Sequence, residues 1–318
     1  MGGATGGHTF SERRLMKERP ALPPGIVLLI AVAAMSWAGP LVKFATAPAQ
    51  VISAWRLVFS VAFIALVVLV RRGPAVRANL TRREWLLAVA AGVMLAAHFW
   101  TWIASLQYTT VASSVVLVSM QPIFVATLSG VLLRERATRL QWVGILVACA
   151  GAVLIGVGDA TVGGTFSRTA LFGDALALLG AAFVSGYYII GRRLRQKLDL
   201  WLYIGTVYGI AALVLVSVVV LDPGRRLTGY PTTDWLIFLA LAAGPMMLGH
   251  TGINYALRYV RAYVANIAIL GEPVGATLIA WLLPQLREVP TAATFAGALL
   301  IGTGILLGMR RRPTETAS

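Results

Sequence analysis

The sequence predicts an all-α integral membrane protein, with ten transmembrane helices arranged as two inverted five-helix repeats around a central cavity. Three observations predict it. Apolar runs of about 20 residues, enough to cross a bilayer as helices, recur from Gly25 to Met309. Of 318 residues, 58% are hydrophobic and 12% charged, and mean hydropathy is +0.80, so polar surface is too scarce to cover a soluble core. Motifs of the first half recur in the same order in the second. The runs lack the two-residue alternation of a transmembrane barrel.

The elements follow in order. Residues 1–24 are polar, carry Arg13, Arg14, Lys17 and Arg19, and read as a cytoplasmic tail without a signal peptide. Five apolar runs then fall at about 25–44, 50–70, 85–106, 112–133 and 140–158. Five more fall at about 171–191, 200–221, 234–256, 262–283 and 291–309. The longer links, 71–84, 159–170 and 222–233, contain the turn formers Gly, Pro and Asp together with Arg. The chain thus divides into a first repeat (25–158), an extracytoplasmic linker (159–170), a second repeat (171–309) and a cytoplasmic tail (310–318).

Charge sets the orientation. A formal charge of +15 would suggest nucleic acid as partner of a soluble protein. Here the basic residues cluster between apolar runs, so no nucleic acid is expected. With the N-terminus in the cytoplasm, 21 of the 27 basic residues lie inside, and both termini are cytoplasmic. Only Lys43, Arg168, Arg225, Arg226 and Arg287 lie outside, while Arg56 lies within a span. Arginine outnumbers lysine 24 to 3 and alanine is abundant, which suggests a GC-rich bacterial genome and an inner-membrane location. The single Cys149 sits in an apolar run and reads as packing.

The repeat is visible residue by residue. "ASLQYTTVASSVVLVSMQP" (104–122) aligns without gaps on "YALRYVRAYVANIAILGEP" (255–273), placing Gln121 on Glu272 and Pro122 on Pro273. Two residues later in register, Glu135 falls on Glu288, Gly144 on Gly297 and Gly151 on Gly304. More loosely, "SWAGPLVKF" (36–44) falls on "SGYYIIGRR" (185–193). Five spans per half is an odd number, so the halves run in opposite senses, the pattern of alternating-access transporters with a midplane site.

These motifs resemble the EamA-type ten-span group of the drug/metabolite transporter superfamily. The resemblance covers about residues 25–309 and rests on "SWAG", the arginine of "SAWRLVFS", Pro122, "LLRERATRLQWVGILVACAG", "GDALALLGAAFVSGYY" and "GEPV". The second copy reads Leu286-Arg287-Glu288 where the family has a more regular turn. The resemblance implies a ten-helix basket with the fifth and tenth spans peripheral. It also implies export of amino acids, amines or drug-like solutes, with a small-molecule substrate, membrane lipid and protons as partners, and a monomeric or homodimeric state.

Polar groups inside spans are costly and therefore mark candidate sites. Glu272 with Pro273, and Gln121 with Pro122, read as paired polar interruptions; Glu272, Pro122 and Pro273 are candidates for proton handling or gating, and Gln121 for substrate binding. Pro273 lacks an N–H and should leave the carbonyl of Ile269 unpaired. His98 shares a helical face with Trp102, and His250 with Asn254; the two histidines are near-equivalents in the repeat, and His98, His250 and Asn254 are candidates for substrate binding. Trp37, Trp102, Tyr187 and Tyr188 are candidates for stacking on a substrate, as are Trp100 and Tyr255. Each of these also has a bland reading as packing.

Arg56 meets a substrate anion, pairs with Glu272 or helix-end carbonyls, or snorkels to the outer surface. Trp85, Trp142, Trp201 and Trp235 suit an interfacial belt. Gly144, Gly151, Gly297 and Gly304 suit close helix packing, within the chain or against a second copy. No metal spacing, phosphate-cradling loop or nucleophile motif is present, so neither cofactor, metal nor catalytic residue is expected. A carrier is the first reading; an uncoupled facilitator and a receptor or scaffold are the alternatives.

Overall fold

A computed structural model of the chain describes residues 20–70, 80–109, 111–160, 168–283, 285 and 292–309. Most of the N-terminal tail (1–19), Arg71, Arg72, Arg77, linker residues 161–167, Arg287, Glu288 and the C-terminal residues 310–318 lie outside the described residues.

Ten helical spans are present among the described residues, and nine are long and apolar enough to cross a membrane; the fifth is the shorter apolar helix. The first half consists of α1 (Pro24–Met35) with α2 (Ala38–Lys43), α3 (Ala49–Val70), α4 (Arg82–Ser105), α5 (Val111–Val118) with α6 (Gln121–Leu128), and α7 (Arg139–Ala160). The second consists of α8 (Arg168–Leu194), α9 (Leu200–Leu221), α10 (Thr232–Leu241) with α11 (Thr251–Ala256), α12 (Ala262–Ile269) with α13 (Glu272–Leu282), and α14 (Ala292–Met309). The third span starts at Arg82, three residues before the apolar run, because Thr81 and Glu84 form a reciprocal capping box.

The spans are interrupted where the sequence carries breakers. The fourth breaks between Val118 and Gln121 and the ninth between Ile269 and Glu272, so Pro122 and Pro273 each occupy the second position of a new helix. A proline fits there without strain, because that N–H has no intrahelical acceptor. The expected orphan carbonyl at Ile269 is thus a helix end, with the turn held by Leu270 N–H to Ile267 O (3.2 Å) and Gly271 N–H to Ala268 O (3.1 Å). Two interruptions have no counterpart in the sequence reading. The first span breaks at Ser36–Trp37, and the eighth widens into a π-helical stretch over Ala242–His250 that contains Pro245. A second π turn, Ser129–Leu133, ends the fourth span.

Each half packs into the other. The α1 helix lies against the π stretch, α11, α12 and α13, all of the second half; α8 lies against α4, α5 and α6 of the first. Ser36 Oγ donates to its own helix at Val32 O (2.9 Å) and reaches Glu272 O (3.4 Å). Ser185, its partner in the repeat, donates to Ala181 O (2.6 Å) and reaches Gln121 O (3.3 Å). The alignment of Ser36 on Ser185 and of Gln121 on Glu272 therefore recurs as a pair of matching contacts.

The fifth and tenth spans, α7 and α14, pack along each other through their glycines. A Cβ on Gly304 would stand 2.5 Å from Ala148 N and Gly144 O, and one on Gly144 would stand 2.6 Å from Gly304 O. Gly151 and Gly297 face each other's carbonyl oxygens in the same reciprocal way, at 2.6 Å. These glycines thus serve packing within the chain, and the alternative of contact with a second copy is not needed to account for them. Between helices in lipid, such close backbone approach is the main source of attraction. Gly304→Ala should therefore cost about 1–3 kcal/mol and lower the melting temperature in detergent. Gly302→Ala, where a Cβ meets nothing within 4 Å, should leave it unchanged or raise it.

Candidate functional site: the central cavity

The interruptions meet at one place. Met35 and Ala38 flank the break in the first span, Gln121 and Glu272 open α6 and α13, and all four line one narrow central cavity. The α4 helix contributes His98, Phe99 and Trp102, α8 contributes Tyr188, and α3 contributes Arg56. His250 ends the π stretch and completes the wall. Pro245 cannot bond to the carbonyl of Leu241, and the wider π turn accommodates that loss while redirecting the residues that follow.

Arg56 is 1% exposed, so it does not snorkel. Its position within an apolar run suggested an outer-surface route, but the helix face it occupies turns inward. Its guanidinium lies 4.1 Å above the ring of Phe99, a cation–π contact. Its Nε and Nη1 are buried without a hydrogen-bond partner, and among the described residues neither Arg56 nor Glu272 forms an ion pair within 4 Å. Two further cavity groups are orphaned, the Nε1 of Trp102 and the Oε1 of Gln121. Native interiors rarely leave such groups unsatisfied, and here four such atoms face one cavity.

The histidines come together as their repeat positions imply. Their rings are 6.0 Å apart, with Phe99 edge-on to His250 at 5.1 Å and Trp102 stacked on His98 at 6.3 Å. His98 Nδ1 lies 2.9 Å from Gly180 O, and His250 Nδ1 lies 3.1 Å from Tyr188 Oη. Among the described residues no group of three metal-ligating side chains exists.

Other expected residues lie elsewhere. Trp37 is 44% exposed and outside the cavity lining, because the break at Ser36 turns its neighbours Met35 and Ala38 inward in its place. Tyr187 and Asn254 do not line the cavity either. They form a buried polar layer behind it, in which Asn254 Nδ2 donates to Tyr187 Oη, to Tyr208 Oη (3.3 Å) and to His250 O (2.8 Å). Pro122 and Pro273 shape the helix starts without touching the cavity. Trp100 is 37% exposed, and Tyr255 donates to Leu22 O (2.9 Å) far from the cavity. Trp235 joins an aromatic cluster with Trp55 and Phe59. Phe99 was not legible as a site residue; a phenylalanine in an apolar helix carries no signal until its cation is located.

Known proteins point the same way. The model of the EamA-like transporter family matches residues 24–157 and again 171–310. An uncharacterized transporter of Archaeoglobus fulgidus is 30% identical over 202 residues, 62% of this chain and 67% of the relative. The uncharacterized transporter YdfC of Bacillus subtilis is 26% identical over 192 residues, 59% of each chain. A crystal structure of another protein superposes with a TM-score of 0.73 over 90% of this chain and 96% of its own, at 17% identity, which speaks to the fold alone. With both halves matched, the chain is a membrane transporter rather than an enzyme, and it belongs to the EamA-like transporter family.

Proposed function

We propose that the chain is a secondary exporter of a small zwitterionic organic solute, amino-acid-like in its charges, which it moves by alternating access at the central cavity. The observation that carries this reading is the set of orphaned polar atoms beside Glu272. Arg56 and Trp102 offer donors to a carboxylate, and charge-assisted bonds to guanidinium are among the strongest available. Gln121 and Glu272 offer acceptors to an ammonium. Phe99, Tyr188 and the two imidazoles give the solute's body an aromatic wall. Simple amines would leave the Arg56 donors unmet, and simple acids would leave Glu272 facing a second negative charge.

The same geometry supplies coupling. A proton and the solute's ammonium compete for the Glu272 carboxylate, so proton entry favours solute release. In a bacterial inner membrane the proton gradient points inward, which drives that exchange outward for the solute. Gln121, the neutral counterpart of Glu272 in the repeat, favours a second reading, uncoupled facilitated diffusion of the same solutes.

The test is flux in proteoliposomes against amino acids, amines and monocarboxylates, with and without a pH gradient. Preference for zwitterions supports the reading, and transport of amines alone sinks it. His250→Ala and His98→Ala should shift the ranking among zwitterions by about tenfold, the worth of one hydrogen bond to the solute or wall. Equal losses for every solute would assign the histidines to packing.

A further inference from the structure

At the arginine-rich end of the molecule a polar cluster joins the two halves. Glu135 follows the π turn of the fourth span, and its side-chain partners Arg192 and Ala262 belong to the second half. Its Oε1 accepts from Arg192 Nε at 2.9 Å and pairs with Nη2 at 2.8 Å, a two-pronged contact. Its Oε2 accepts from the N–H of Ala262, at the start of α12, at 3.4 Å. Arg192 continues through Nη1 to Leu257 O (2.7 Å) and Arg258 O (3.3 Å), the open carbonyls at the end of the eighth span. Arg134, just before Glu135, adopts φ 58°, a left-handed conformation that costs energy for a residue with a side chain. The acid is thus held in place by a strained turn, with both charged side chains under one-fifth exposed.

Beneath this pair, Arg195 is 2% exposed and donates to Asn254 O (3.0 Å) and Leu198 O. Burial brings it down to about 10, so it keeps its charge at neutral pH. The ends of the fourth, sixth and eighth spans and the start of the ninth therefore meet in one set of bonds, and the helix that begins there, α12, ends at Ile269, with two residues between it and Glu272.

We propose that the Glu135–Arg192 pair, with its bonds to Leu257 O and Ala262 N, is the latch that closes the arginine-rich mouth of the cavity, and that inward opening requires its release. Glu135 is the first-half charge of this pair; the other ion pair between the halves at this end, Lys197–Glu84, has a largely exposed lysine and holds weakly, so removing Glu135 loosens the halves there while leaving the cavity walls intact. The latch is independent of what the solute is, and its test needs none.

The test uses the full chain with Cys149 replaced by Ser and a single cysteine introduced at Val184, a cavity position. Labelling by a membrane-impermeant thiol reagent is read from the arginine-rich side in membrane vesicles of defined orientation. Glu135→Gln should raise the labelling rate by about tenfold, the equivalent of losing a charge-assisted bond. Glu135→Asp, which keeps the carboxylate and its ability to accept from Arg192 and from Ala262 N–H, should stay closer to the parent rate than Glu135→Gln. Unchanged labelling in Glu135→Gln overturns the proposal. So does an equal gain at native Cys149 in the otherwise unaltered chain, since Cys149 is buried in α7 and does not line the cavity, and only general loosening would expose it.

Discussion

Arg56→Gln should weaken solute binding by about 100-fold while leaving the folded protein as stable as before or more so. The two effects have one cause. A guanidinium buried over Phe99 with two unpartnered nitrogens costs desolvation energy in the empty protein, and that cost is recovered when an anion arrives. Removing the charge takes away the recovery and the cost together. Losing a buried charged partner is worth about 2–5 kcal/mol, which brackets the predicted fold-change. Binding by scintillation proximity and melting temperature in the same detergent check the pair of outcomes. Lysine at this position should fall between, since it keeps the charge but loses the planar fork. A parallel fall of binding and melting temperature would make Arg56 a structural residue and remove the central support for a carboxylate-bearing solute.

Glu272→Gln should separate driven transport from exchange. If the wild-type protein exchanges solute for protons as proposed, a gradient of one pH unit should support about tenfold solute accumulation for each proton exchanged. The variant cannot carry the proton, so accumulation should fall to unity, while counterflow at saturating solute persists because the cavity still offers an acceptor. Glu272 lies in a helix start that Ser36 holds from the other half, and glutamine preserves that backbone contact. Driven accumulation that survives unchanged would leave the acid a purely structural role and favour facilitated diffusion.

The spans were legible because crossing a bilayer demands long apolar runs, and runs differ from links in every residue. The Gln121/Glu272 pairing was legible for a related reason: polar groups beside prolines stand out in apolar surroundings. What could not be read is which way a side chain faces. A helix turns about 100° per residue, so one added residue in a π turn, or a break of two residues at Ser36–Trp37, redirects everything beyond it. Trp37 left the cavity wall by such a break, and Arg56, open in the sequence between the interior and the outer surface, faces inward by the turn of an unbroken helix. The glycines of the fifth and tenth spans showed that something approaches closely, but glycine has no side chain with which to name its partner.

The contacts of Ser36 and Ser185 have a further consequence. Each fastens the first span of one half to the fourth span of the other, and α1 and α8 pack mainly on helices of the opposite half. A half on its own would present those surfaces, and the backbone ends at the broken helices, to lipid that cannot bond them. The two repeats are therefore units of sequence and not units of folding, and the smallest autonomous piece of this protein is the whole pair.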